Sequence, residues 1–180
     1  MGLGQSIGSM THGRVDASDM YRAALVQAVA ALDTYIHGVV LDRAVDVLMG
    51  RLRVAAADSK VGLPFPAVTE LLNAKGAADL EIACRQRSAA RLSLETFQRP
   101  DDIARALAMV GIPKIWSSAF AAAEPAKTAI RVIVSRRNNI VHGCDADPLT
   151  PGSPVGLSAQ DAANAVDTVE ATVKAIDLKL

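Results

Sequence analysis

The chain has little aromatic matter. Of its 180 residues only one is Trp, two are Tyr and three are Phe. Strand-rich folds draw on aromatic and β-branched residues, so this scarcity argues against a sheet protein. Cysteine is scarce too, with Cys84 and Cys144 alone. Two thiols build no disulfide framework, and the default compartment is a reducing cytoplasm. Formal net charge is zero, so the overall balance implies no global polyelectrolyte partner. No apolar stretch is read as reaching membrane-spanning length, and no membrane partner is expected. The first fifteen residues are rich in Gly and Ser and lack an apolar run behind a basic start. They read as a flexible leader and not as a signal peptide. His12 falls within it and is given no role.

What the chain has is alanine, periodic aliphatics, and Gly or Pro at intervals. Apolar residues make up 51% of it. At this length one domain, residues 16–180, is the natural count. A first helix starts near Asp16 or Ser18, both suitable N-caps, and ends near Met49 with Gly50 as the stop. Leu25, Val29, Leu32, Ile36, Val40 and Val47 form its inward track, with Leu41, Val45 and Leu48 beside it. Gly38, in mid-helix, marks a kink or a close helix crossing. Asp33 and His37 lie one turn apart; they read most simply as a capping-type ion pair, with a polar pocket as the other place for His37. The segment 51–66 breaks. Pro66 then fits the first turn of a short helix through Asn73. A third helix is expected from Ala77 to Phe97, burying Leu80, Cys84, Ala90 and Leu94. Pro100 restarts the chain into a helix that Gly111 stops, Pro113 opens a short helix with Ile115, Trp116 and Phe120, and Pro125 opens the next. After Gly143 comes a loop dense in Pro, Gly and Asp. Ser158 caps the last helix with Asp161 as capping-box partner, and Ala162, Val166, Val169, Val173 and Ile176 point inward. The expected fold is all-α, an up-and-down helical bundle of three to four long helices plus short connecting helices.

The chemistry concentrates in residues 126–143, AKTAIRVIVSRRNNIVHG. Ala126, Ile130, Ile133, Val134, Ile140 and Val141 recur at helical spacing, and Arg137 lies on that same face. A guanidinium in an apolar stripe is costly to bury unless paired. Asn138 and His142, four apart, project from one side. Gly143 reads as the C-terminal stop. Basic residues cluster here (Lys127, Arg131, Arg136, Arg137) and again at Arg85, Arg87, Arg91 and Arg99. Were the two stretches to share a surface, it would suit a polyanion; the plainer reading is solvated helix faces. The sequence His142-x-Cys144-Asp145-x-Asp147 mixes soft and hard ligands in a loop without a second cluster, so no metal is assigned.

SRRNNIVHG, with Arg137-Asn138, three residues and His142, resembles the Arg-x4–6-His signature of the HEPN superfamily, all-helical domains of which many are metal-independent ribonucleases. ALDTYIHGVV at 31–40, TFQRPDDIARAL at 96–107 and IVHGCDADP with its following loop and last helix are similar to segments of the RiboL-PSP-HEPN branch. The likeness spans roughly residues 20–178. It implies an endoribonuclease without cofactor, in which Arg137, His142 and Asn138 are catalytic and Arg136 and Arg131 meet the RNA. It also implies a homodimer joined through the motif-bearing helices, toxin or antiphage activity, and an antitoxin or regulatory partner.

Those residue types suit the chemistry. RNA carries its own nucleophile, the ribose 2′-hydroxyl. Cleavage needs proton transfer to and from that site and a cation for the phosphoryl oxygens. His142 is the residue type suited to proton transfer near neutral pH, and Arg137 offers a fork that fits phosphate. On an ideal helix positions five apart differ by about 140° and about 7.5 Å, so convergence calls for two chains. Other classes remain open. The cluster is also consistent with a non-catalytic nucleotide- or RNA-binding module. It is consistent too with a protein-interaction module whose polar end cap pairs Arg137 with Asp33, Asp42 or Asp46.

Overall fold

The computed structural model describes residues 17–54, 60–147 and 149–180. The leader, with His12, lies outside them. Seven helices and one two-stranded hairpin make up the described chain, which is all-α. In order these are α1 Ser18–Leu48, α2 Phe65–Leu72, α3 Ala77–Leu92, α4 Pro100–Met109, α5 Ile115–Ala119, α6 Ala123–Gly143, β1 Ala146–Asp147, β2 Thr150–Pro154 and α7 Ala159–Asp177. Their described residues fall into two compact units, one of 17–32 with those of 119–179, the other of those within 33–118 with Leu180. Residues of α1 contribute to both.

α1 stays helical through Gly38, where an added Cβ would meet nothing within 4 Å. Among the described residues no close crossing is therefore made there. Its buried positions Leu25, Val29, Leu32, Ile36 and Val40 repeat at three and four residues, the period of a single helical stripe. α1 corrects one expectation. By length and composition it could cross a membrane, with a window of mean hydropathy 1.5, of which 28% is buried. The reason is its charge pattern: between Arg22 and Asp42 the sole Asp, Glu, Lys or Arg is Asp33.

In the unit 33–118, α3 ends five residues earlier than its apolar period predicts. Ser93 caps it, and the polar groups beyond are claimed from α1. The Phe97 N–H donates to Asp33 Oδ1 at 2.6 Å and Gln98 Nε2 donates to Asp33 Oδ2 at 3.2 Å. His37 Nε2 lies 3.2 Å from the carbonyl of Leu92. The buried positions of α3 are Ala83, Cys84, Ser88 and Leu92, while Ala90 and Leu94 are exposed. The chain leaves α4 through Gly111 at φ +85°, where a Cβ would stand 2.8 Å from Val54 Cγ1. Trp116 is buried and its indole N–H donates to the carbonyl of Pro100 at 2.8 Å.

In the other unit, α6 packs on α7 and runs into the hairpin. The segment expected to be loop holds antiparallel β1 and β2, with Ala146 opposite Pro154 and Asp147 opposite Thr150 around a bulge. α7 starts as its sequence dictates. The N–H of Asp161 donates to Ser158 Oγ at 3.1 Å, and the N–H of Ser158 donates to Asp161 Oδ2 at 3.0 Å. Its fully buried stripe is Ala162, Ala165, Val169, Thr172 and Ile176; Val166 and Val173 flank it half-buried.

Candidate functional site

α6 carries Arg131, Arg136, Arg137, Asn138 and His142 on 21 residues, and buries Ile130, Ile133 and Val134. Val132 and Val141, by contrast, are exposed. Gly143 is its last helical residue, but the left-handed turn that stops it is made by Cys144 at φ +49° and Asp145 at φ +55°. The N–H groups of both residues reach back to the carbonyl of Asn139, that of Asp145 at 3.0 Å. His142 therefore sits in the final turn, exposed. Among the described residues no hydrogen bond or ion pair engages its ring.

The cations of α6 meet different fates. Lys127 Nζ pairs with Glu124 Oε1 at 2.7 Å, and Arg131 lies 3.7 Å from the same carboxylate. That pairing holds the Glu124 carboxyl below its usual range, chiefly through the hydrogen bond from Lys127. Arg136 Nη2 donates to Asp145 Oδ2 at 2.7 Å and to the carbonyl of Val155 at 2.9 Å. Its sequence-assigned role at the phosphate thus competes with an internal one. Arg137 is half-buried and its recorded partner is the neutral side-chain oxygen of Asn138, 3.1 Å from Nη1. Its Nε is buried without a hydrogen-bond partner. The carboxylates that an end-cap reading would give it are held within their own unit. Asp33 binds Phe97 and Gln98, Asp42 binds Arg85 at 2.8 Å, and Asp46 lies 3.4 Å from Arg51.

In the second basic stretch Arg85, Arg87 and Arg91 each meet a carboxylate. Arg87 Nε donates to Glu70 at 2.6 Å, and Arg91 pairs with Glu95 at 2.9 Å. Cys84 is buried, and burial raises its thiol above the ordinary value. Among the described residues no group of three or more His, Cys, Asp or Glu is placed to hold a metal ion.

The pairing of Arg22 with Asp145 is what the sequence does not show. Arg22 Nε donates to Asp145 Oδ2 at 3.1 Å across 123 positions, and both side chains are buried. The one local signal is an arginine opening an otherwise apolar helix, four residues after Ser18, whose Oγ accepts from Arg22 Nη1 at 2.7 Å. Two cavities of this unit lie nearby. One of about 550 Å³ includes Arg22, Ile140 and Cys144 in its wall, and one of about 460 Å³ includes Arg136, Asp161 and Asn164. Neither is lined by Arg137 or His142. Comparison with protein-family models, with curated proteins and with solved structures finds no match to this chain.

Proposed function

We propose that the protein is a metal-independent endoribonuclease of the HEPN kind, with Arg137 and His142 as catalytic residues and Asn138 orienting them. The observation that carries the reading is the selective treatment of charge on α6. Lys127, Arg131 and Arg136 each face a carboxylate, whereas Arg137 meets a neutral amide. A half-buried cation left uncompensated is prepared for an anion. His142 stands exposed one turn beyond Asn138.

In this reading the 2′-hydroxyl of a bound ribose attacks the adjacent phosphorus. A base removes its proton, and the bond to the leaving 5′-oxygen breaks as an acid supplies a proton to it. Products are a 2′,3′-cyclic phosphate and a 5′-hydroxyl. Arg137 stabilises the charge on the phosphoryl oxygens, and His142 moves protons. Positions 137 and 142 diverge by about 140° on one helix. Two copies of α6, paired about a two-fold axis, would supply the two groups to one phosphodiester.

The test is incubation of end-labelled single-stranded RNA with the purified protein in EDTA, beside Arg137→Ala and His142→Ala. Cleavage by the wild type and loss in both variants is the expected result. Equal cleavage by all three would defeat the proposal. A second reading, a binding module that holds RNA or a protein without cutting, draws on the absence of Arg137 and His142 from the walls of both nearby cavities. It expects salt-sensitive binding and no cleavage with EDTA or Mg2+.

A further inference from the structure

Asp145 is the most constrained polar residue next to the motif. Its side chain is 1% exposed and its backbone takes φ +55°, a left-handed conformation that Asp tolerates better than most residues. Both main-chain groups are used: the N–H donates to the carbonyl of Asn139 at 3.0 Å, and the carbonyl accepts the N–H of Val155 at 2.7 Å. Oδ2 accepts from Arg22 Nε at 3.1 Å and Arg136 Nη2 at 2.7 Å. Both guanidiniums also converge on the carbonyl of Val155, Arg22 Nη2 at 2.8 Å and Arg136 Nη2 at 2.9 Å. One residue thus ties the start of α1, the penultimate turns of α6 and the chain just after β2. Oδ1 and Arg136 Nε are buried without partners, so the cluster is not optimised for stability. A buried ionic cluster is weak evidence for net stability, and in some proteins such a cluster selects one geometry.

The geometry selected here is that of the motif. Arg136 and Asp145 bracket Arg137, Asn138 and His142, and their ion pair closes that segment end to end. We propose that Asp145 is the positioning residue of the site, an inference that rests on the ribonuclease reading. It withdraws Arg136 from the substrate, so that Arg137 is the cation presented to the phosphate. It also fixes the turn after Gly143, so that His142 is held in one orientation instead of fraying with the helix end. Asp145 acts through these neighbours and touches no reacting atom.

The experiment compares the wild type with Asp145→Asn, which keeps the shape and removes the charge, and with Arg22→Lys, whose single ammonium cannot reproduce Arg22's bonds to Asp145 and Val155. Two readouts are taken: steady-state cleavage of end-labelled single-stranded RNA in EDTA, and the imidazole carbon–proton NMR signal of His142, assigned by its disappearance in His142→Ala. In folded variants kcat is expected to fall about 10- to 100-fold with KM within about twofold, because misplaced groups lose transition-state contacts while RNA still binds. The His142 signal should shift or broaden while that of His37 stays in place. Arg22→Lys should move both readouts the same way by less. A folded variant with wild-type kcat and an unmoved His142 signal overturns the inference, as does a rise in KM at constant kcat. If Asp145→Asn does not fold, Arg22→Lys decides by the same criteria. If the wild type leaves RNA intact, the ribonuclease reading fails by itself. The His142 signal then judges the anchoring alone, displaced if Asp145 holds the turn and unchanged if it does not.

Discussion

Arg137 Nη1 donates to Asn138 Oδ1, its immediate neighbour in sequence, at 3.1 Å. The contact orients the guanidinium without cancelling its charge. Asn138→Asp keeps the shape and puts an anion on that bond. Cleavage of RNA in EDTA is expected to fall at least about tenfold, roughly 1.4 kcal/mol of transition-state stabilisation. Melting temperature should hold or rise, since the new ion pair forms inside one turn. Full activity in this variant would show that Arg137 meets no phosphate.

The two thiols should differ sharply in reactivity. Cys144 is exposed, whereas Cys84 is buried and its thiol is held in the neutral form by desolvation. The thiolate is the reacting species. Titration of the native protein with a chromogenic disulfide should release one equivalent quickly, from Cys144. The second should appear on the timescale of unfolding, or at once in denaturant. Two fast equivalents would place Cys84 outside the core.

The start of α7 should be acid-sensitive. Hydrogen bonds from the Ser158 hydroxyl and backbone hold the Asp161 carboxyl below its ordinary value of 3.8. A carboxyl whose folded value is depressed contributes stability that is complete above the unfolded value and lost as pH falls through the folded one. Unfolding midpoints followed downward from pH 7 should therefore decline less steeply below about pH 4 in Asp161→Asn than in the wild type. Parallel curves would remove Asp161 from the acid response.

Two glycines should respond in opposite directions to alanine. At Gly111, φ is +85° and a Cβ would stand 2.8 Å from Val54 Cγ1. Gly111→Ala is expected to cost about 1–3 kcal/mol in urea unfolding. Gly38 is helical with open space beyond it, so Gly38→Ala should stabilise by about 0.5–1 kcal/mol. Destabilisation at Gly38 would reveal a close neighbour there, such as a second copy of the chain.

Local signals are legible in the sequence, and distant ones are not. The stripe of α1 and the Ser158–Asp161 box depend on residues a few positions apart, so their periodicity and capping chemistry were legible. The end of α3 was not. Leu94 and Phe97 prolong the apolar rhythm, but Asp33 and His37, more than fifty positions earlier, take the polar groups beyond Leu92. The hairpin after α6 was hidden because Pro, Gly and Asp speak for loops, and its short irregular pairing leaves no alternation. At the candidate site, the residues of the motif were visible because they lie within one helix. What distinguishes Arg136 from Arg137 was invisible, since two adjacent arginines look alike until Asp145 is brought to one of them. Asp145 in turn owes its place to Arg22, which no local pattern couples to it.

The chain's only indole belongs to the unit built from residues 33–118, inside the hydrogen bond from Trp116 to Pro100. Its fluorescence is consequently a private signal of that unit, while far-ultraviolet dichroism averages every helix. Superimposable melting curves from the two optical methods would mean that both units lose their structure as one cooperative system, and separated curves would resolve an intermediate in which one has melted.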